Sequence, residues 1–140
     1  MKEIYDLNRL PLDTTIPHDC VIKEINMIEN KIEFIFEDNI SDYESISENK
    51  NKFKSLIMKF NLLDQDFSVY IWQQPKKGVS KNGCYELLDN NVIQELPKSR
   101  LEYISHNIGY NSIVIRLFSE TYGNVILDLD VSSVEYEWIV

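Results

Sequence analysis

Apolar and polar side chains alternate with a period of two along most of this chain. In its final residues Val134, Tyr136, Trp138 and Val140 interleave with Glu135, Glu137 and Ile139, the pattern of a strand with one buried face. Cys20, Val21, Ile22, Ile25 and Met27 mark another strand, whose parity shifts near Lys23-Glu24 as a β-bulge would allow. A turn at Glu29-Asn30 then leads to Ile32, Phe34 and Phe36, which alternate with Lys31, Glu33 and Glu37 and complete a hairpin. Leu56, Met58, Phe60 and Leu62, followed by Asp64-Gln65-Asp66 and by Phe67, Val69 and Ile71, predict a second hairpin. A helix over 47–63 is the rival reading, because Ser47, Lys50, Phe53, Leu56, Ile57 and Phe60 also approximate a helical stripe.

Turn residues punctuate the remainder. Pro11, Pro17 and Asp13-Thr14-Thr15 make residues 1 to 19 an irregular lead-in arm. Pro75-Lys76-Lys77-Gly78 and Lys81-Asn82-Gly83 predict a polar loop before a strand over 84–88. Over 92–105 a helical spacing of Val92, Ile93, Leu96, Leu101 and Ile104 is interrupted by Pro97, which favours a short turn or strand and then a strand from Leu101. Ile108-Gly109-Tyr110-Asn111 and Tyr122-Gly123-Asn124 separate further strands built on Ile113, Ile115 and Leu117 and on Val125, Leu127, Leu129 and Val131. The expected fold is mainly β: an antiparallel sandwich or barrel of about eight strands in one domain over 1–140, with room for one short helix, α+β being the alternative.

Composition agrees with this frame. At 140 residues with 44% apolar content, the chain can bury a core without disulfide or metal staples. It contains no Ala, the best helix former. Fourteen Lys and Arg against 23 Asp and Glu give a net charge of −9, which repels nucleic acid and anionic membrane surfaces and points to a basic partner. Part of the acidic excess, Glu37, Asp38, Asp42, Glu44 and Glu48, falls in one stretch free of basic residues, read as a solvated loop. The opening lacks an apolar stretch of signal-peptide type and no run approaches the roughly 18 apolar residues of a membrane span, so a cytoplasmic protein is expected.

Candidate chemistry is sparse. Cys20 and Cys84 have neither metal-ligand nor redox spacing, so reduced thiols at least partly buried in strands are expected. His18-Asp19-Cys20 sets a base, a carboxylate and a thiol side by side, and His106 is the other histidine. Together these four residues form the candidate ligand or catalytic site, although in a strand His18 and Cys20 share a face that Asp19 does not. Asp128 and Asp130 alternate with Leu127, Leu129 and Val131, so they read as a solvent-facing strand surface, and no metal site is expected. Tyr70, Trp72, Tyr136 and Trp138, near acidic residues, are the candidate interface anchors; Tyr70 and Trp72 make an exposed pair.

The stretch from His18 to Ile25, its continuation from Asn30 to Phe36, and Val134-Glu135-Tyr136-Glu137-Trp138 resemble small bacterial proteins of unassigned function, several families of which look like immunity proteins that neutralise a toxin by tight binding. The resemblance implies a non-enzymatic binding module without a cofactor, facing a basic toxin. Asp38, Asp42, Glu44, Tyr70 and Trp72 are the candidate contact residues. The alternative function is a small-ligand-binding protein or enzyme with its site near His18 and His106.

Overall fold

The computed structural model describes residues 1–73 and 83–140. The polar loop expected over 75–78 and 81–82 lies outside the described residues. Among the described residues nine antiparallel strands join in one hydrogen-bonded sheet: β1 (Lys2–Asp6), β2 (Ile22–Ile28), β3 (Lys31–Phe36), β4 (Ser55–Leu62), β5 (Ser68–Gln73), β6 (Cys84–Leu88), β7 (Leu101–Gly109), β8 (Ser112–Ser119) and β9 (Gly123–Ile139). The mainly antiparallel β class read from the alternation is the class observed.

The long strand β9 organises the sheet. Its first half pairs with β5 on one side and β8 on the other; its second half pairs with β4 and β1. Val125, Leu127, Leu129 and Val131 point inward, and then Val134, Tyr136 and Trp138 do. Parity therefore switches at Ser132-Ser133, opposite a register shift between Asn61 and Leu62. The two strands expected over 125–131 and from Val134 are thus one strand of 17 residues, because a bulge lets a single strand keep apolar residues inside while it bends.

The sheet is open, not the expected barrel, but it curls so that its β2 and β7 edges meet at a seam over one core. Phe34 and Phe36 of β3 meet the Tyr103 ring of β7 at centroid distances of 6.3 and 6.0 Å. At the seam, Asp19 N–H donates to the Tyr103 carbonyl (2.8 Å), Tyr103 N–H donates to the Cys20 carbonyl (2.9 Å), and Val21 bridges Glu102.

The first hairpin forms as expected, with the bulge between Ile22 and Glu24 and with Glu29 in the left-handed region at φ 55°. The second does not. β4 and β5 run end to end along β9 rather than pairing with each other. The Asp64 carboxylate accepts from the Asp66 N–H (3.2 Å) and Leu63 N–H donates to the Asp130 carbonyl (2.9 Å), so the chain continues along β9. The rival helix over 47–63 is absent as well: Leu56, Met58 and Phe60 all lie inward, and β4 is hydrogen-bonded on both sides. Residues 92–100 hold 3-10 turns at Asn90–Gln94 and Leu96–Lys98, with β7 starting at Leu101. The arm begins with a strand, β1, that alternation hides: its inward positions are Glu3 and Tyr5, while Ile4 faces out. Glu3 accepts from Trp138 Nε1 (2.6 Å) and pairs with Lys50 Nζ (3.0 Å).

Candidate binding surfaces

The His18-Asp19-Cys20 triplet forms a chain turn at the seam. Cys20 N–H donates to the Pro17 carbonyl (3.1 Å), and Asp19 takes φ 67° to close the turn. His18 Nδ1–H donates to the Ile104 carbonyl (2.7 Å), while its Nε2 stands 3.4 Å from Asp19 Oδ1. His18 and Asp19 are exposed, but Cys20 is buried and its thiol is pushed up to about 11 by burial. It therefore stays protonated at neutral pH and supplies no thiolate. Cys84, expected to be partly buried, is exposed at the start of β6.

His106 belongs to a different environment. A register shift between Tyr103 and Ser105 resets the parity of β7, so Tyr103 and His106 both point inward. Tyr103 Oη lies 2.6 Å from His106 Nδ1, and His106 Nε2 lies 2.8 Å from Thr14 Oγ1 on the arm. Tyr103 is fully buried with no other partner among the described residues, so its O–H donates to Nδ1. The proton on His106 is therefore on Nε2 and is donated to Thr14. Next to it Tyr136 O–H donates to the Thr15 carbonyl (2.6 Å). This one-directional relay requires neutral His106, and burial lowers the imidazole to about 4. Beside it, Leu10, Pro11, Leu12, Asp13, Ile16 and Asn107 help to line a cavity of about 370 Å³.

The acidic stretch is a surface loop tied down by Ile40 and Ile46, with Asp38, Asp42 and Glu44 exposed. Ser45 Oγ donates to the His18 carbonyl (2.9 Å) and Tyr43 lies beside Arg100, which places the loop on the seam between β2 and β7.

Tyr70 and Trp72 lie elsewhere, on the outer face of the half-sheet β6-β5-β9-β8-β7, and are half-buried. Register aligns Leu87, Tyr70, Ile126 and Arg116 across β6, β5, β9 and β8. In the adjacent row Trp72 packs edge-on against Tyr85 at 4.9 Å, and Phe118 pairs with Asn124. Leu87 is 61%, Tyr85 45% and Phe118 43% exposed. Three strand spacings separate Tyr70 from the seam edge at β7, about 14 Å. The acidic loop and the aromatic pair are therefore two patches rather than one. Sequence reading missed Tyr85, Leu87, Phe118 and Ile126, because an apolar residue on the solvent side of a strand carries no periodic mark until register is known.

Asp64, Asp66, Asp128 and Asp130 line a cleft of about 250 Å³ at one end of this face. Among the described residues no three His, Cys, Asp or Glu side chains are grouped so as to hold a metal ion. Tyr136 and Trp138, considered as interface anchors, are core residues at 1% exposure. No helix among the described residues is long and apolar enough to cross a membrane.

The described residues define an antiparallel β protein whose outer sheet face exposes Tyr85, Leu87 and Phe118 and whose periphery is acidic. No protein-family model, curated protein or solved structure matches the chain.

Proposed function

We propose that this chain is a cytoplasmic protein-binding module that captures a basic protein on the outer face around Tyr70, Trp72, Tyr85, Leu87, Phe118 and Ile126. The observation that carries the reading is the outer face on which Leu87, Tyr85 and Phe118 are exposed and Tyr70, Trp72 and Ile126 half-buried, with Arg116 ending the Leu87 row on β8. A contiguous apolar patch rimmed by polar groups marks interaction surfaces, and Trp and Tyr dominate their energetics. The net charge of −9 speeds encounter with a basic partner and disfavours nucleic acid and anionic bilayers. In the role that the immunity-protein resemblance implies, the partner is a toxin and binding neutralises it, with Asp38, Asp42 and Glu44 steering approach from the seam. The reading invokes neither catalysis nor a cofactor.

The test is a quantitative pull-down from lysate of the source organism at low and high salt, with the wild type beside Leu87→Asp and Trp72→Ser. A stoichiometric basic protein, retained less at high salt and lost from both variants, is the expected result. Equal retention by the variants removes this face from the interface, and the absence of any salt-sensitive partner refutes the reading.

The cavity beside His106 favours a second reading, a small-ligand site, since about 370 Å³ falls within the range of small-molecule pockets. A Leu12→Trp variant would fill it; a ligand whose thermal stabilisation of the protein survives that change binds elsewhere.

A further inference from the structure

We propose that β6 accepts an extended segment of the partner as an additional antiparallel or parallel strand, so that the binding module described above works by strand addition. The inference rests on that binding function and specifies its mode. β6 ends the sheet order and, among the described residues, hydrogen-bonds only to β5. An end strand presents alternate N–H and C=O groups away from its neighbour, ready to pair with another chain.

The other edges differ from β6. At β1 the Met1 ammonium donates to the Trp138 carbonyl (3.0 Å), and Lys2, Glu3 and Asp6 put charge along the strand. β2 and β7 are bridged to each other at the seam through Val21 and Glu102. β6 reads Cys84-Tyr85-Glu86-Leu87-Leu88, without Lys, Pro or a bulge, and its register runs unbroken from Val69–Leu88 to Gln73–Cys84. Its single charge, Glu86, is occupied by Gln73 Nε2 at 2.6 Å. Of the devices that usually blunt natural edge strands, β6 carries among the described residues only its shortness and the paired Glu86.

The side chains define the occupant. On the outer face Tyr85 and Leu87 stand exposed beside Trp72 and Tyr70, so apolar residues at alternate positions of an added strand extend that row. Beyond Leu88 the register passes through Ser68 to Asp128, next to Asp64, Asp66 and Asp130. Asp89, exposed directly after Leu88, is the acid within reach, and charge complementarity with it places Lys or Arg at that end of the added segment. The segment is thus extended, about 17 Å long to match five residues, apolar at every second position and basic at one end.

Selection of random twelve-residue peptides on the full chain, with counter-selection on a Leu87→Lys variant whose melting temperature matches the wild type, tests this. Enriched peptides should share the alternating apolar pattern with a basic end. N-methylation of one set of alternate amides should weaken them about tenfold or more, and methylation of the other set should not. Indifference to methylation of both sets would mean that side chains alone dock on the face; that result overturns strand addition and leaves the pull-down result standing. Absence of enrichment overturns it too. A concentration-dependent dimer abolished by Leu87→Lys would assign the edge to a second copy of this chain, also against the proposal.

Discussion

Acidification should destabilise this protein through one residue, His106. His106 is 6% exposed and serves as acceptor from Tyr103 and donor to Thr14. Protonated, it would donate from both nitrogens, and the Tyr103 hydrogen, enclosed in the core, would lose its acceptor. Burial accordingly lowers the folded-state pKa from 6.5 to about 4. Because the unfolded chain takes up this proton first, stability is fully present above pH 6.5 and falls as pH drops through the interval to about 4. That gap corresponds to about 3 kcal/mol, of which about 2 kcal/mol is lost between pH 7.5 and 5. Glu3 and Glu137 titrate lower: burial pushes Glu3 up, but hydrogen bonds from Lys50 and Trp138 outweigh it, and Lys59 holds Glu137 down. Urea unfolding followed by tryptophan fluorescence at pH 7.5, 6.5, 5.5 and 5.0 measures the loss. A His106→Gln variant removes the titrating group, so its pH slope over this range should be flatter by about the same 2 kcal/mol, even though its stability at pH 7.5 drops by about 1–3 kcal/mol for imperfect hydrogen bonding. Equal slopes in the two proteins, or a wild-type loss under about 0.5 kcal/mol, would refute the relay and its proton assignment.

Phe34, wholly buried between Phe60 and Tyr103, should cost about 3–5 kcal/mol on replacement by Ala, read as a shift of the urea midpoint at unchanged slope. Glu29 holds φ 55° in the β2–β3 turn, so Glu29→Gly should raise stability by about 0.5–1 kcal/mol in the same assay by relieving left-handed strain. Titration of native protein with a chromogenic disulfide should modify Cys84 promptly and Cys20 only after unfolding, since Cys20 is buried with its thiol raised to about 11; two fast equivalents would contradict the burial.

Alternation revealed the strands wherever the inward face is apolar and the outward face polar. The β2–β3 hairpin, with its bulge near Lys23-Glu24, and β7 starting at Leu101 are of this kind. It failed where polarity was inverted: β1 turns Glu3 inward because Trp138 Nε1 and Lys50 wait there, and leaves Ile4 at 64% exposure. Such a strand is stabilised by partners far away in sequence, Trp138, 135 residues on, and Lys50 at the end of the acidic loop, and no local window contains them. The false hairpin over 56–71 has the same origin. Asp64-Gln65-Asp66 is good turn chemistry, but the competition between pairing β4 with β5 and laying both along β9 is decided by the length of β9.

The candidate sites follow from the bulges. In an unbroken β7, Tyr103 and His106, three apart, would face opposite sides of the sheet. The register shift at Ile104 brings both inside and lets them bond, at 2.6 Å. The same shift turns His106 away from His18, which takes the Ile104 carbonyl instead, so the two histidines never share a site. Most inward polar groups of the arm and its neighbours are thereby consumed in holding structure: Thr14 by His106, Tyr136 by Thr15, and Glu3 by Lys50 and Trp138. Among the described residues Tyr70, Trp72, Tyr85 and Leu87 of the outer face hold no such polar partner, and for Leu87, 61% exposed on an end strand, solubility argues against keeping it. A chain whose core polar groups are satisfied gains nothing in stability from leaving that row bare, and this makes the row the surface where a partner is to be sought.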